Sequence, residues 1–308
     1  MNRQRQTIGL IAMMMLCTFS MVAQTKLRYN LKTGQKYGLN QLSEQEIKQD
    51  IMGMSQVIKN TIGGEIFVTI TDKKADVYSS DITFSALRFK MESPMFSVDY
   101  NSKDSNADLT NPIAKALGFM VGKVFAMKFN DRGEVLEVTG FQAMMDDLAK
   151  SYADDPSTLG QMKQTLAQQF DDESLAKSIG MMLVVYPEDK IKAGASWTHT
   201  NQSLKPLPLT SNNEYAFDGK TGDVIELTGT GSSATGENAS MKQGGMTQHL
   251  DLKGGMKYTA KIDANTGWPK EVTQEQILEG TVAVESPQMP APMEIPMSIK
   301  SVTKYTAL

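Results

Sequence analysis

The sequence predicts an α+β fold, mainly antiparallel β, in which a helical insertion at about residues 141–185 separates two β-rich halves with meander-like or half-barrel-like sheets. Three observations predict it: a strand–turn–strand motif that occurs three times, alternating apolar and polar residues in the first third, and apolar residues at helical spacing in the middle. The expected parts are a signal peptide at 1–24, β-rich halves at 25–140 and 186–308, and the insertion between them. Two related β units or one continuous wrapped sheet both fit this pattern.

The first 24 residues have the order of a secretory signal peptide. Arg3 and Arg5 precede an apolar run that is shorter than the roughly 20 residues of a membrane-spanning helix. A cut near Ala23 or Gln24 is expected, with a cut after Ser20 as the alternative. We therefore expect a periplasmic or secreted protein with no transmembrane anchor after cleavage, and an uncleaved anchor is the alternative.

The single cysteine, Cys17, lies inside this segment. A lipoprotein signal needs a small residue just before the cysteine, whereas Met14, Met15 and Leu16 precede Cys17, so we do not expect a lipoprotein. After cleavage the chain has no cysteine, which excludes disulfides, thiolate metal sites and cysteine nucleophiles. The mature fold must then be held together by a hydrophobic core.

The charge balance argues against nucleic acid as a partner. The chain has 31 Lys plus Arg and 35 Asp plus Glu, and loss of Arg3 and Arg5 with the signal peptide leaves a net charge near −6. Phosphate backbones require a basic surface, and a broad docking surface for anionic lipid headgroups is disfavoured for the same reason.

Alternating or β-branched segments predict five strands in the N-terminal half. They are Lys26–Leu31, Tyr37 to about Met52, Ile66–Ile70, Val77–Met91 and Met95–Tyr100. In the second of these the apolar residues keep to one parity, which favours a strand, although Leu42–Ile47 could also open a helix.

A turn motif occurs three times and predicts three β hairpins. Its copies are Phe129–Gly140, Phe217–Gly229 and, more loosely, Ile262–Thr273. Each copy has an Asn or Asp that can begin a turn through its side chain, a Gly suited to positive φ, and a short alternating segment after it.

Four helices are predicted in the middle of the chain. Asn111 followed by Pro112 is a typical helix start and predicts a short helix through about Met120. The other three, predicted by apolar residues at helical spacing, are 141–153, 157–170 and the segment from Asp171 or Asp172 to about Leu183.

Proline and glycine are concentrated in three segments of the C-terminal half. A crossover is expected at 203–213 and a mobile loop at 229–245. The prolines of 287–297 lack N–H groups, so we expect an extended loop or a cover over a sheet edge there, not a central strand. A last strand is predicted at Ser298–Tyr305.

Together these residues resemble an exported, uncharacterised family that is common in Bacteroidota and is catalogued as a domain of unknown function. The resemblance rests on Tyr37–Gly53, Gly122–Gly140, Gly194–Trp197 and the turn Asp263–Gly267, and it covers most of the mature chain. It implies an envelope location and a β-rich fold, and it brings no catalytic residues.

No catalytic, metal or nucleotide motif stands out, so we expect no enzyme, no cofactor and no catalytic residues. A serine triad needs a base, and neither His199 nor His249, the two histidines of the chain, lies in a recognisable motif. The glycine-rich Gly229–Gly236 lacks the Lys-Ser/Thr ending of a phosphate-binding loop. A hydrolase is therefore the last of the alternatives.

Methionine is the more informative residue type, with 22 in the chain. Met241, Met246 and His249 are weak candidates for a Cu(I) site, because thioethers and imidazole are suitable ligands for this soft ion. A second group, spaced four residues apart, is Met289, Met293 and Met297. The filling of irregular cores by methionine is the favoured interpretation of both groups.

A bent antiparallel sheet beside amphipathic helices can enclose an apolar cavity, as in exported carriers, although a fully packed core is the competing expectation. The residues expected to form a lid over such a cavity are Met144, Met145, Leu148, Met162 and Leu166. We therefore expect a non-catalytic envelope protein that binds an apolar ligand, such as a lipid, or another envelope protein. The alternatives are a structural or assembly factor of the envelope and a periplasmic Cu(I)-binding protein.

Overall fold

In a computed structural model the described residues are 24–94, 97–109, 111–152, 172–203, 207–243, 246–289 and 291–308. Residues 1–23 of the predicted signal peptide, with Cys17, lie outside the described residues. So does the helix predicted at 157–170, with Met162 and Leu166.

The strands are long and the helices are short. The strands are β1 (Lys36–Ile51), β2 (Met54–Lys74), β3 (Val77–Glu92), β4 (Ser97–Asn101), β5 (Val124–Asn130), β6 (Val135–Thr139), β7 (Ser196–Ser203), β8 (Leu209–Thr221), β9 (Val224–Ala234), β10 (Ser240–Gln243), β11 (Met246–Asp263), β12 (Pro269–Glu285) and β13 (Met293–Ala307). The helices are α1 (Pro112–Met120), α2 (Phe141–Tyr152) and α3 (Asp172–Gly180). None of these described helices has the length and apolar character needed to cross a membrane.

All the described strands belong to one antiparallel sheet. Its order is β6-β5-β3-β2-β1-β13-β12-β11-β9-β8-β7, with β4 paired to β3 and β10 paired to β11. Because β1 lies between β2 and β13, the two β-rich halves are hydrogen-bonded to each other, and Ile47 lies opposite both Ile58 and Ile299. The predicted fold class is confirmed, and the structure has the continuous sheet of the two alternatives.

The sheet bends around the side on which its apolar residues lie. One buried cluster receives side chains from β2, β3 and β5 near one edge of the sheet and from β8, β9 and β11 near the other. Helix α3 contacts both edge strands, β6 and β7. The inward side is therefore concave, and α3 lies where the two edges of the sheet approach each other.

Aromatic residues close one end of the concave side. We call this region the closed end, and its aromatic residues are Tyr29, Tyr78, Phe129, Tyr186 and Trp268. The ring centroid of Tyr29 lies 5.9 Å from that of Phe129, 5.2 Å from Tyr186 and 6.2 Å from Trp268. Such ring contacts add to the free energy gained by burying the side chains.

The prediction of a sheet strand at 26–31 is wrong, although the alternation that suggested it is real. Leu27, Tyr29 and Leu31 are buried, but within the described residues the backbone of this region makes one isolated bridge, between Thr25 and Ile191. The backbone N–H of Tyr29 donates to Asp131 O, in the β5–β6 turn. The segment therefore crosses the turns at the closed end and does not extend the sheet.

The three predicted hairpins are confirmed as β5–β6, β8–β9 and β11–β12. In the first, Asn130 Oδ1 accepts hydrogen bonds from the backbone N–H groups of Arg132 and Glu134, both at 3.0 Å. Gly133 and Gly267 have φ of +97° and +70°, a region that glycine adopts more easily than other residues.

The predicted helix positions are largely confirmed. At α1, Asn111 Oδ1 accepts hydrogen bonds from the N–H groups of the first turn, as an N-cap does. The last predicted helix is too long, because α3 ends at Gly180 and Leu183 lies beyond it. The chain turns there so that the N–H of Tyr186 donates to Arg132 O at 2.8 Å.

Strands replace loops in three predicted segments of the C-terminal half. The predictions of a crossover at 203–213 and a mobile loop at 229–245 are wrong in part, since β8 already begins at Leu209 and β9 continues to Ala234, whereas 235–239 are not in a strand. The proline-rich segment is also partly wrong, because β13 begins at Met293 and includes Pro296. Pairing with β1 ends at Met297, so Pro296 lies where β13 has a single neighbour, the kind of position at which sheets tolerate proline.

Candidate functional site: a hollow in the concave side of the sheet

The inward-facing residues change in character along the length of the strands. Four successive inward register pairs between β12 and β13 are Val272–Tyr305, Gln274–Thr303, Gln276–Ser301 and Leu278–Ile299. Apolar or aromatic pairs therefore lie at both ends of this row, and amide and hydroxyl pairs lie between them.

The amide and hydroxyl residues continue across the neighbouring strands, and we call them the polar belt. Its members are Asn60, Gln41, Ser43, Gln45, Ser301, Thr303, Gln274, Gln276, Ser233, Ser211, Asn213 and Asn201. Beyond the belt lies an aliphatic cluster, the far cluster, which consists of Leu250, Leu252, Leu278, Val282, Val284, Ile295 and Ile299. The belt thus separates the closed end from the far cluster.

Several belt residues on different strands are hydrogen-bonded. Ser43 Oγ lies 2.9 Å from Thr303 Oγ1, and Ser211 Oγ lies 2.7 Å from Ser233 Oγ. Gln276 Nε2 donates to Ser233 Oγ at 3.1 Å. These bonds offset part of the free energy needed to take polar groups out of water.

Two adjoining cavities lie along the belt. The larger, of about 350 Å³, is bounded by β1, β2, β3, β12, β13 and α3. The smaller, of about 170 Å³, lies against β7, β8, β11 and β12. Met181, Gln274 and Gln276 line both cavities, so we treat the two as parts of one site and call it the hollow.

The wall of the hollow combines apolar and polar side chains without charge. Its apolar and aromatic residues are Ile66, Ile82, Phe84, Leu175, Ile179, Met181, Met182, Leu183, Leu207, Leu209, Met256, Tyr215, Tyr258 and Tyr305. The remaining wall residues are amides and hydroxyls of the belt, together with Ser203. Within the described residues no Asp, Glu, Lys, Arg or His lines either cavity.

Asn213 is the belt residue with the most unusual environment. It is 2% exposed, and its Oδ1 has no hydrogen-bond partner in the described part of the chain. Its side chain lies over Gly231, where a Cβ atom would come within 2.1 Å of Asn213 Oδ1. Burial raises the pKa of the nearby Tyr215 hydroxyl to about 12, and side-chain hydrogen bonds with Asn201 and Asn213 act in the opposite direction.

The predicted lid residues that are described lie elsewhere. Met144, Met145 and Leu148 are buried in a cluster that α2 forms with residues of α1 and α3, and they do not line the hollow. Their place is explained by α2 packing its apolar face against the other two helices. Met181 and Met182, directly after α3, contact the hollow instead.

The Cu(I) candidates lie on β10 and β11 and are divided between the two faces of the sheet. Met241 packs against the far cluster on the inward side, and Met246 is 38% exposed. His249 faces outward, with its Nε2 3.3 Å from Glu285 Oε2. The methionines that share the far cluster with Met241 are Met289, Met293 and Met297. The described residues contain no group of three or more His, Cys, Asp or Glu that could hold a metal ion.

A further groove of about 520 Å³ lies between the edge strands β6 and β7, beside α3, and it shares Asn201 with the smaller cavity. His199 lines it, and burial lowers the pKa of the imidazole, whereas the charge of Glu134 and a hydrogen bond with Asn201 act in the opposite direction. No serine or cysteine among the described residues lines the groove. The structure therefore does not bring a nucleophile of either type to His199 there.

Sequence analysis missed the polar belt. The signal was present on β12, where Gln274 and Gln276 occupy the inward parity between Val272 and Leu278. Two inward glutamines on a single strand do not show whether that strand borders a buried site or lies at the edge of a sheet. The register with β13 and β1 is what shows that hydroxyls and amides meet at one level.

Comparison with solved structures supports the fold. A lipovitellin chain matches 91% of this chain with a TM-score of 0.51 at 8% sequence identity, and this chain spans 25% of that chain. An outer membrane channel from Pseudomonas putida F1 has a TM-score of 0.25 at 7% identity, with 91% of this chain and 97% of that chain covered. The outer membrane protein opdK from Pseudomonas aeruginosa has a TM-score of 0.22 at 8% identity, with 90% and 100% covered. At these identities the lipovitellin likeness concerns the fold alone, and the other two carry no argument.

Comparison with sequences gives a family but no characterised relative. No curated protein sequence matches this chain. The family model of DUF6263, described as a family of unknown function, matches residues 75–269, which is more than half of the chain. The matched range contains all three predicted hairpin turns as well as Asn213 and Gly231. The protein belongs to this family of unknown function, DUF6263.

Proposed function

We propose that the protein is an exported, non-catalytic binding protein of the envelope that carries an apolar or amphipathic small molecule in the hollow. The observation that carries this proposal is a partly apolar hollow in the concave side of a sheet that is otherwise tightly packed at both ends. Small-molecule sites are typically concave, mostly apolar and about 300–1,000 Å³ in volume. The larger cavity alone falls within that range.

The methionines at the end of α3 support the same proposal. Met181 lines both cavities and is 38% exposed, so it lies between the interior and the surface. Methionine has flexible torsions and a polarisable sulfur, which allow its side chain to adapt to guests of different shape. Met181 and Met182 are therefore the side chains that we expect to move when a guest enters.

The fold likeness supports the proposal by analogy. The matching lipovitellin structure describes lipid–protein interactions in that protein. The likeness covers most of this chain, but a shared fold is a weak argument for a shared function. We therefore expect the ligand to be a lipid, and this expectation rests mainly on the composition of the wall of the hollow.

Uptake of an uncharged fluorescent probe, N-phenyl-1-naphthylamine, tests the proposal. Mature protein should bind the probe with about one-to-one stoichiometry, measured by fluorescence titration and native mass spectrometry. Met181→Trp should abolish binding because the larger ring occupies the junction of the two cavities. Met54→Trp is the matched control, because Met54 is 63% exposed at the β1–β2 turn. Absence of probe uptake by the unsubstituted protein, or equal uptake by both variants, would contradict the proposal.

Export is tested separately with the full chain expressed in a bacterial host. We expect the protein in the periplasmic fraction or the medium, with an intact mass that corresponds to cleavage near Ala23 or Gln24. The order of the signal peptide supports this expectation, and the bulky residues before Cys17 argue against a lipoprotein cut there. Recovery of the uncleaved chain from the membrane fraction would contradict it.

A further inference from the structure

We infer that the natural guest is a neutral amphiphile whose hydroxyl- or amide-bearing end lies against the polar belt while its apolar part lies against the methionines and aliphatic residues of the hollow. This inference rests on the proposed function and names the chemical class of ligand for the same site. It follows from three properties of the wall, namely its lack of charge, its amide and hydroxyl groups and its apolar residues.

The uncharged wall selects against ionised guests. A carboxylate or phosphate taken out of water needs a partner of opposite charge, because burial of an isolated charge is far more costly than burial of a neutral polar group. Arg and Lys side chains supply the strong charge-assisted hydrogen bonds that offset this cost. The described wall of both cavities contains no charged side chain.

The amide and hydroxyl groups of the wall select for guests that can form hydrogen bonds. Gln274 and Gln276 line both cavities, and Ser301, Thr303 and Asn201 each line one of them. A purely apolar guest would displace water from these groups without replacing its hydrogen bonds, whereas a hydroxyl or amide of a neutral guest can donate to them and accept from them. Asn213 Oδ1, in contrast, is buried against Gly231 and does not face a guest.

The flanks of the belt provide the complementary apolar surface. In the larger cavity Ile66, Phe84 and Met182 lie on one side of the glutamines. In the smaller cavity the apolar residues beside the belt include Leu209, the first residue of β8, and Leu207, which precedes that strand. A hydrocarbon group next to a neutral polar end matches this alternation of surface types.

Three probes test the inference: monododecanoylglycerol and dodecanoate, which have the same acyl chain, and N-phenyl-1-naphthylamine as the apolar reference. Affinities are measured at pH 8, where the carboxylate is ionised, by displacement of the naphthylamine and by native mass spectrometry. We expect monododecanoylglycerol to bind at least about tenfold more tightly than dodecanoate, because the uncharged wall leaves the carboxylate without a partner.

Two sets of variants show whether the belt is responsible. Gln274→Leu with Gln276→Leu should weaken the binding of monododecanoylglycerol and keep naphthylamine uptake, whereas Gln288→Leu, at an exposed position, should change neither. Gln274→Lys should raise the affinity for dodecanoate by supplying a cation in the wall. A wild-type affinity for dodecanoate equal to or above that for the glycerol ester would overturn the inference and leave the proposed function intact. Failure of all three probes to bind would overturn both.

Discussion

The closed end and the polar belt lie on the same inward side of the sheet, yet they differ in how completely their atoms are partnered. At the closed end Tyr29 Oη accepts from Val184 N at 3.0 Å, and Tyr186 Oη donates to Gly267 O at 2.7 Å. In the belt Asn213 Oδ1 is equally buried and has no partner within the described residues. The closed end is therefore a completed core, and the belt is a buried surface with unused hydrogen-bonding capacity.

The closed end and the belt differ in the type of residue that faces inward, not in the face of the sheet on which the residues lie. On β12, Val272 at the closed end and Gln274 in the belt are both inward, two positions apart. Strand alternation decides which side chains face inward, but it does not decide whether they fill the space. Aromatic side chains fill the closed end, whereas amides and hydroxyls leave cavities between themselves and α3. The following predictions test this contrast, beginning with the largest expected effect.

Tyr29→Ala should cause the largest loss of stability. The substitution removes a fully buried ring that contacts three other aromatic rings, and it leaves the N–H of Val184 without its acceptor. We expect the free energy of unfolding to fall by about 3–5 kcal/mol, measured by urea denaturation.

Two further variants divide that loss into its causes. Tyr29→Phe keeps the ring and removes only the acceptor, so it should cost about 1–3 kcal/mol. Met54→Ala, at an exposed position, should change stability by no more than about 0.5 kcal/mol. A loss for Tyr29→Ala that is no larger than that of Met54→Ala would show that the closed end is not a packed core.

Gly231→Ala should have the next largest effect, because it inserts a methyl group between the backbone of β9 and the side chain of Asn213, a belt residue. The new Cβ would lie 2.1 Å from Asn213 Oδ1 and 3.1 Å from Asn212 O. Overpacking of this kind typically costs about 1–3 kcal/mol. Gly236→Ala, with no atom within 4 Å of its Cβ position, is the matched control.

A double-mutant cycle assigns the cause of that loss. Combination of Gly231→Ala with Asn213→Ala removes the side chain that collides with the new methyl group, so the combined loss should be smaller than the sum of the single losses. Equal losses in both backgrounds would mean that the Asn213 side chain does not lie over Gly231.

The sequence predicted the fold better than the site. Alternation along β1 and the Asn/Asp–Gly turns follow local rules, and both predictions are confirmed in the structure. The loop predictions failed at Gly231 and Pro296. Gly231 lies in a strand beneath the side chain of Asn213, and Pro296 lies where its strand has only one neighbour. The polar belt depends on register between strands far apart in sequence, as in the pair Gln45–Ser301, and local patterns do not specify such register.

Gln274→Ala should have a smaller effect on stability than either substitution above. Gln274 lines both cavities, so its truncation enlarges space that already exists and should cost less than about 1 kcal/mol. Leu278→Ala, four residues further on the same face, removes a side chain that is 2% exposed and should cost about 2–5 kcal/mol. Urea midpoints of the two variants provide the comparison. Equal losses would mean that the belt is as tightly packed as the far cluster.

His199→Gln should change mainly the pH dependence of stability, and this is the smallest effect expected. Burial in the groove beside α3 lowers the pKa of His199, so the folded state favours the neutral imidazole. The unfolded state then binds more protons below pH about 6.5, the ordinary value for histidine. Stability from this group is therefore fully present above that pH and is lost as the pH falls through it towards the lowered folded-state pKa.

The measurement compares urea unfolding at pH 7.5 and pH 5.5 for the wild type and for His199→Gln. The wild type should lose more stability on acidification than the variant, because glutamine cannot be protonated. His249→Gln removes the other histidine, which faces outward beside Glu285, and serves as the matched control. Identical acid sensitivity of the wild type and His199→Gln would show that solvent reaches the imidazole in the groove. In that case the groove between the two sheet edges beside α3 would be open to solvent, unlike the packed closed end and far cluster. The hollow would then be more accessible from that side.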